Sequence, residues 1–130
     1  KKTELSHFLV DAYTKTTPKF SKRKSKSIVE KINLSSVVVL ICMKRDEKES
    51  VPEWEEIAAT AMAVQNLWLK TTELGLGGYW STPAYIKQIH QFTTLEENEK
   101  CLGLFYLGGF EGPMPNREPG DWRKKVQWFG

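Results

Sequence analysis

Apolar positions along the chain fall into blocks with different periods. Leu5, Phe8, Leu9, Ala12 and Tyr13 recur at i, i+3, i+4, i+7 and i+8, the single stripe of an amphipathic helix that Pro18 ends. A second, shorter helix is expected over Lys26–Ile32, with Ile28, Val29 and Ile32 facing inward. Ser35–Met43 is an unbroken β-branched and apolar run, which predicts a strand buried on both faces. After the charged loop Lys44–Glu49 comes a long helix. Its apolar residues Trp54, Ile57, Ala58, Ala61, Met62, Val64, Leu67, Trp68 and Leu69 cover nearly the whole circumference, so other elements should enclose it.

The punctuation of the second half is equally legible. Ser50 and Glu53 have capping-box spacing, with Pro52 in the first turn. Glu53, Glu55 and Glu56 place negative charge at the positive end of the helix dipole. Gly75 is the expected left-handed residue after the last turn. A short strand should carry Tyr79 and Trp80. Thr82 then reads as an N-cap with Pro83 at the first position of a helix through Tyr85, Ile86, Ile89 and Phe92. Thr94 and Glu97 repeat the box spacing and predict a helical turn over Leu95–Glu99. Cys101–Leu107 is the last strand, broken by Gly108-Gly109. Beyond Gly112 the chain is rich in proline and glycine, yet it carries Trp122, Trp128 and Phe129. So much aromatic area favours an arm packed on another surface over a disordered tail.

Helices alternating with strands, without a hairpin signal, indicate a layered α/β or α+β domain, and 130 residues suit one domain spanning 1–130. Composition, 40% hydrophobic and 27% charged, is that of a soluble globular protein. No apolar run is long enough to span a bilayer, so a cytoplasmic protein without a membrane partner is expected. The net charge of +3 is too small to call for nucleic acid. The basic run Lys19–Lys26 is open to two readings, a phosphate-binding patch or a solvated loop between helices, and its one aromatic residue, Phe20, gives little for base stacking. Cys42 and Cys101 each sit in an apolar strand and are expected as buried, reduced thiols. Neither has metal-type spacing with His7 or His90, and no metal is expected.

Gly75-Leu76-Gly77-Gly78 follows a helix and precedes a strand, the reverse of the dinucleotide-binding order, so these glycines cannot cradle a pyrophosphate by that mechanism. A tight helix end and close packing of the strand explain them equally well. No G-x-S-x-G elbow occurs, and no Ser, Cys or His stands in a catalytic context; no catalytic side chain is assigned. A chain with a good core and few reactive groups is what a cofactor enzyme requires, since the cofactor carries the chemistry.

VPEWEE, the alanine-rich helix with Gln65-Asn66, GLGGYW-S-T, and CLGLFYLGGFEG followed by a basic, proline-containing tail occur here in one order. In that order they resemble the FMN-dependent nitroreductase family, from about Val51 to Trp128. The resemblance implies an α+β sandwich, a central mostly antiparallel sheet flanked by helices, with an extended C-terminal arm. Homodimers with exchanged arms would hold FMN between them. NAD(P)H would be the electron donor, and a nitroaromatic, quinone or similar small molecule the acceptor, in ping-pong hydride transfer. By this resemblance Trp80, Ser81 and Thr82 run beside the flavin ring, where Ser81 and Thr82 can donate hydrogen bonds. Arg117, in Pro115-Asn116-Arg117-Glu118-Pro119, matches the basic residue that reaches the FMN phosphate, although Asn116 is neutral where many relatives carry a second base. An arginine-rich segment of the Arg-Arg-Ser type opens family members; nothing like it precedes Lys1, and the chain corresponds to about the C-terminal two-thirds of a member. The alternative is a non-enzymatic flavin-binding or interaction protein on the same dimeric scaffold.

Overall fold

Three strands form one antiparallel sheet among the described residues of the computed structural model, which are 1–113 and 118–130. In chain order the elements are α1 (Lys2–Thr16), α2 (Lys22–Leu34), β1 (Val37–Lys44), α3 (Glu53–Glu73), β2 (Gly77–Ser81) and β3 (Glu99–Gly108). Short 3-10 helices cover Ala84–Gln91 and Trp122–Lys125. The sheet order is β1-β3-β2, so the last strand in sequence is central, and the architecture is α+β.

Alternation along β3 builds two cores. Leu104 and Tyr106 point to a cluster with Leu5, Leu9, Ile28, Ile32 and Ile89 from α1, α2 and the first 3-10 helix. Phe105 points the other way, to Ile41 and Val64, beneath α3. Leu9, Ile32, Ile89, Leu104 and Phe105 are almost wholly buried. Each contributes about 1.5–3 kcal/mol by leaving water.

Several expectations are corrected here. α2 begins at Lys22, not Lys26, because the Ser21 hydroxyl caps it by accepting from the Lys24 amide at 3.4 Å. Most of the basic run is therefore helical, not a loop. β1 is an edge strand with mixed burial and is not covered on both faces. The Ser50–Glu53 box does not form. Pro52 occupies the cap position, the Ser50 amide donates to Asp46, and Glu53 pairs with Lys100. Thr82 is not a cap either: Pro83 precedes a 3-10 helix rather than an α-helix, with no side-chain cap. No helical turn forms over Leu95–Glu99: residues 97–98 make a turn and Glu99 already opens β3. Asn98 is tied to Arg45 through the Arg45 N–H to Asn98 carbonyl bond at 2.8 Å and the reciprocal Asn98 side-chain bond at 3.0 Å.

The helix end at Gly75 matches expectation. Gly75 has φ +71°, its N–H donates to the Thr72 carbonyl at 2.9 Å, and the Leu76 N–H donates to Thr71 at 3.0 Å. These two bonds are the Schellman pattern. The enclosure predicted for α3 does not match. Only Val64 and Thr71 are buried, while Trp54 is 67% exposed, Met62 64% and Leu69 59%. A helix resting on one face of a sheet covers one stripe, and among the described residues nothing buries the rest.

Candidate functional site

The end of β2 carries the predicted ring-side segment, and the pleat divides it. Trp80 packs with the α3-side core and donates its indole N–H to the Leu102 carbonyl at 3.3 Å. Ser81 and Thr82 line a pocket of about 220 Å³ together with Lys24, Ser27, Lys31, Tyr85 and Tyr106. The structure thus brings Ser81 and Thr82 together and sends the Trp80 ring to the α3 side. The Thr82 hydroxyl donates to the same Leu102 carbonyl at 3.3 Å, which leaves its lone pairs available to a donor.

That shared acceptor exists because of a bulge. In the β1–β3 ladder Ile41 opposes Gly103 and Cys42 opposes Cys101, so Leu102 is left over. Gly103 has φ +151°, and a Cβ there would lie 2.3 Å from the Trp80 Nε1 and 2.7 Å from the Ser81 carbonyl oxygen. Only glycine permits this approach. Gly78 has a similar constraint, since a Cβ would lie 2.8 Å from the Phe105 ring. Gly78 thus serves close packing of the strand, one of the roles open from sequence to the glycines of Gly75–Gly78, while Gly103 was not singled out there.

The pocket is positive in character. Lys24 and Lys31 border it, and no carboxylate lines it among the described residues. Burial, followed by the neighbouring phenols Tyr13 and Tyr79, pushes the Tyr85 hydroxyl up to about 12. Burial likewise pushes Tyr106 well above the ordinary tyrosine range. Both phenols are therefore neutral near pH 7 and add no negative charge. Lys31 Nζ lies 5.7 Å from the centroid of the Tyr79 ring, which stacks on Tyr106 at 5.2 Å. A larger cavity of about 810 Å³ adjoins along β2, bordered by Leu34, Trp68, Leu76, Tyr79 and Phe110, and shares Lys31 and Tyr106 with the first.

Lys24 belongs to the basic run whose phosphate-binding reading was open from sequence, whereas Lys31 was not anticipated as its neighbour at the pocket. They stand seven residues apart, two turns on one face of α2, a signal hidden while the helix was expected to start at Lys26. Arg117 and Asn116 lie outside the described residues. His90 is exposed, with its ring Nδ1 2.9 Å from the Lys87 carbonyl oxygen, and His7 borders a shallow cleft between α1 and α2. Cys42 and Cys101 are free thiols, but Cys42 is exposed and Cys101 half-buried, not the buried pair expected. Neither belongs to the pocket. Among the described residues no group of three His, Cys, Asp or Glu could hold a metal ion, and no helix is long and apolar enough to cross a membrane.

The model of the Nitroreductase family matches residues 2–109. The chain belongs to the nitroreductase family. A Bacillus subtilis protein named "Putative NAD(P)H nitroreductase YfhC" is 27% identical over 96 residues, 72% of this chain and 49% of the relative. The chain thus spans about half the length of that relative. Among solved structures, a nitroreductase-like family protein from Bacillus cereus superposes with a TM-score of 0.75 at 16% identity, covering 98% of this chain and 67% of the other. At that identity the likeness speaks for the fold alone. The α+β fold expected from the sequence is the fold of the family.

Proposed function

We propose that the chain is part of an FMN-dependent oxidoreductase that moves hydride from NAD(P)H to nitroaromatic, quinone or similar acceptors, which take turns with the donor at one pocket. The observation that carries this reading is the pocket at the end of β2, where Ser81 and Thr82 meet two lysines and, among the described residues, no carboxylate. When bound, FMN supplies the hydride carrier. Ser81 and Thr82 would border its ring, and Lys24 and Lys31 would set a positive field where the reduced ring gathers negative charge. Buried, neutral Tyr85 and Tyr106 line the same pocket and would add apolar ring surface beside the flavin. A volume of about 220 Å³ accommodates part of a flavin, so the residues fit the group as one wall of a larger site.

The remaining wall would come from a second copy. The exposed apolar residues of α3, Trp54, Ile57, Met62 and Leu69, suit a homodimer interface. Trp128 and Phe129, 83% and 92% exposed, suit an arm that reaches the partner, as the exchanged C-terminal arms of the family would. Arg117 on that arm would meet the phosphate.

Purified full-length protein should be yellow, and its flavin absorbance should bleach on adding NAD(P)H and return with a quinone. Colourless protein that takes up no added FMN would overturn the proposal. The neutral Asn116 favours a second reading, a flavin-binding protein without turnover. Bound FMN that no acceptor reoxidises would select it.

A further inference from the structure

Two thiols that the proposed reaction does not use stand opposite one another in the sheet. Cys42 on β1 and Cys101 on β3 are direct register partners in the antiparallel ladder, immediately beside the bulge. Cα atoms of such partners are about 4.5–5.5 Å apart, inside the roughly 4.4–6.8 Å range of disulfides. The extra residue of the bulge is on β3, so β1 alternates regularly, and Cys42 shares a face with Val38 and Leu40. Val38 and Leu40 pack against the α1–α2 core, and so does Cys101. Both sulfurs therefore project from one side of the sheet. Cys42 is exposed, so a small reagent reaches it, while Cys101 is half-buried and donates to the Gly103 carbonyl at 3.4 Å.

We infer that Cys42 and Cys101 are a two-electron redox pair that closes to a cross-strand disulfide when the chain meets a small-molecule disulfide. The step balances as two exchanges. Cys42 Sγ, as the thiolate, attacks one sulfur of the reagent, forming a mixed disulfide and expelling one thiol. Cys101 Sγ then attacks Cys42 Sγ, expelling the second thiol. The chain loses two electrons and two protons, and the reagent gains both as two thiols. A dithiol reverses the sequence.

Position gives the bond its consequence. It would tie the edge strand to the central strand and close a loop containing α3, β2 and the Ser81–Thr82 segment. Partial burial, then the Cys101 neighbour and Glu99, push the Cys42 thiol up to about 11. Thiolate is scarce at neutral pH, so the pair closes slowly and serves as a staple rather than a rapid sensor.

The test uses the full chain incubated with glutathione disulfide at mildly alkaline pH, acid-quenched, alkylated and weighed by mass spectrometry. The expected product is a monomeric chain lighter by two hydrogens, with neither cysteine alkylated, restored by dithiothreitol. Its unfolding midpoint should rise by about 10 °C over the reduced protein. Cys101→Ser should stop at one glutathione on Cys42. Wild-type protein that carries stable glutathione on either cysteine, stays fully alkylatable, or cross-links between chains would overturn the inference. So would a closed pair that leaves the midpoint unchanged, because the staple would then constrain nothing.

Discussion

Gly103→Ala is the substitution whose cost the geometry defines best. A Cβ at this position meets the Trp80 Nε1 at 2.3 Å and the Ser81 carbonyl oxygen at 2.7 Å, and the backbone φ of +151° disfavours any L side chain. The indole could swing aside only by giving up its bond to Leu102, and Ser81 is backbone held in the β2–β3 ladder. Overpacking of this kind costs about 1–3 kcal/mol, and a strained backbone position adds about 1–3 kcal/mol. The two overlap, since one backbone shift relieves both, so a total near 3 kcal/mol is expected, in the lower half of their summed range of about 2–6 kcal/mol. Unfolding entropy of about 2.1 cal/mol/K per residue over 130 residues makes 1 kcal/mol worth about 4 °C, so the midpoint should fall by about 12 °C. Gly109→Ala is the control, because a Cβ there meets nothing within 4 Å. Thermal unfolding followed by circular dichroism would compare the two. If Gly103→Ala melts within a degree or two of Gly109→Ala, the bulge tolerates a side chain and the account of the Trp80–Thr82 anchor is wrong.

Other outcomes follow from the structure and from the proposed function. For the proposed homodimer through α3, Met62→Glu with Leu69→Glu changes two residues exposed on the single chain, so each protomer should stay folded while light scattering reports a monomer; a dimer unaffected by both changes would place the interface elsewhere. Arg117→Ala should weaken FMN binding about ten- to hundredfold and leave riboflavin nearly unaffected, since only FMN has the phosphate; equal losses in fluorescence titrations would remove Arg117 from that site. Glu56 accepts from Arg45 Nη1 at 2.6 Å and from the Asp46 amide at 2.9 Å, and these bonds, the Arg45 one foremost, hold its carboxyl below the usual value of 4.5. Its contribution to stability is therefore complete above pH 4.5 and lost as pH falls through the lowered value. Wild type should melt above Glu56→Gln at neutral pH, with the gap closing in acid; a gap constant with pH would contradict the assignment.

Local signals were legible where one element decides them. Gly75 needs only its own left-handed backbone and two amides, so the helix end was readable from sequence. The apolar stripe of α1 was likewise sufficient, because one face of one helix meets one core. Signals that depend on a competing partner failed. Ser50 and Glu53 have the right spacing for a cap, but Asp46 takes the Ser50 amide and Lys100 takes the Glu53 carboxylate. Neither Asp46 nor Lys100 could be known as a competitor before the β1–β3 register was known. Thr82 failed for the same reason, its hydroxyl being drawn to Leu102 on another strand. Of the candidate site, Ser81 and Thr82 were read from a family resemblance, whereas Lys24 and Lys31 depend on where α2 starts.

The bulge shows how a sequence signal can be present and still go unread. An isolated glycine inside an apolar strand points to a bulge or a close backbone approach, and Gly103 sits between Leu102 and Leu104 in such a run. Its consequence is longer-ranged than its cause. Leaving Leu102 without a ladder partner frees one carbonyl, and that carbonyl accepts from Trp80 on the α3 side and from Thr82 at the pocket. The two cores of the protein are thus joined through a single acceptor at the end of β2. A change on the α3 side that moves Trp80 acts on the same carbonyl that orients Thr82. Substitutions at the proposed dimer face that disturb the Trp80 ring should therefore alter flavin binding even where they touch no residue of the pocket.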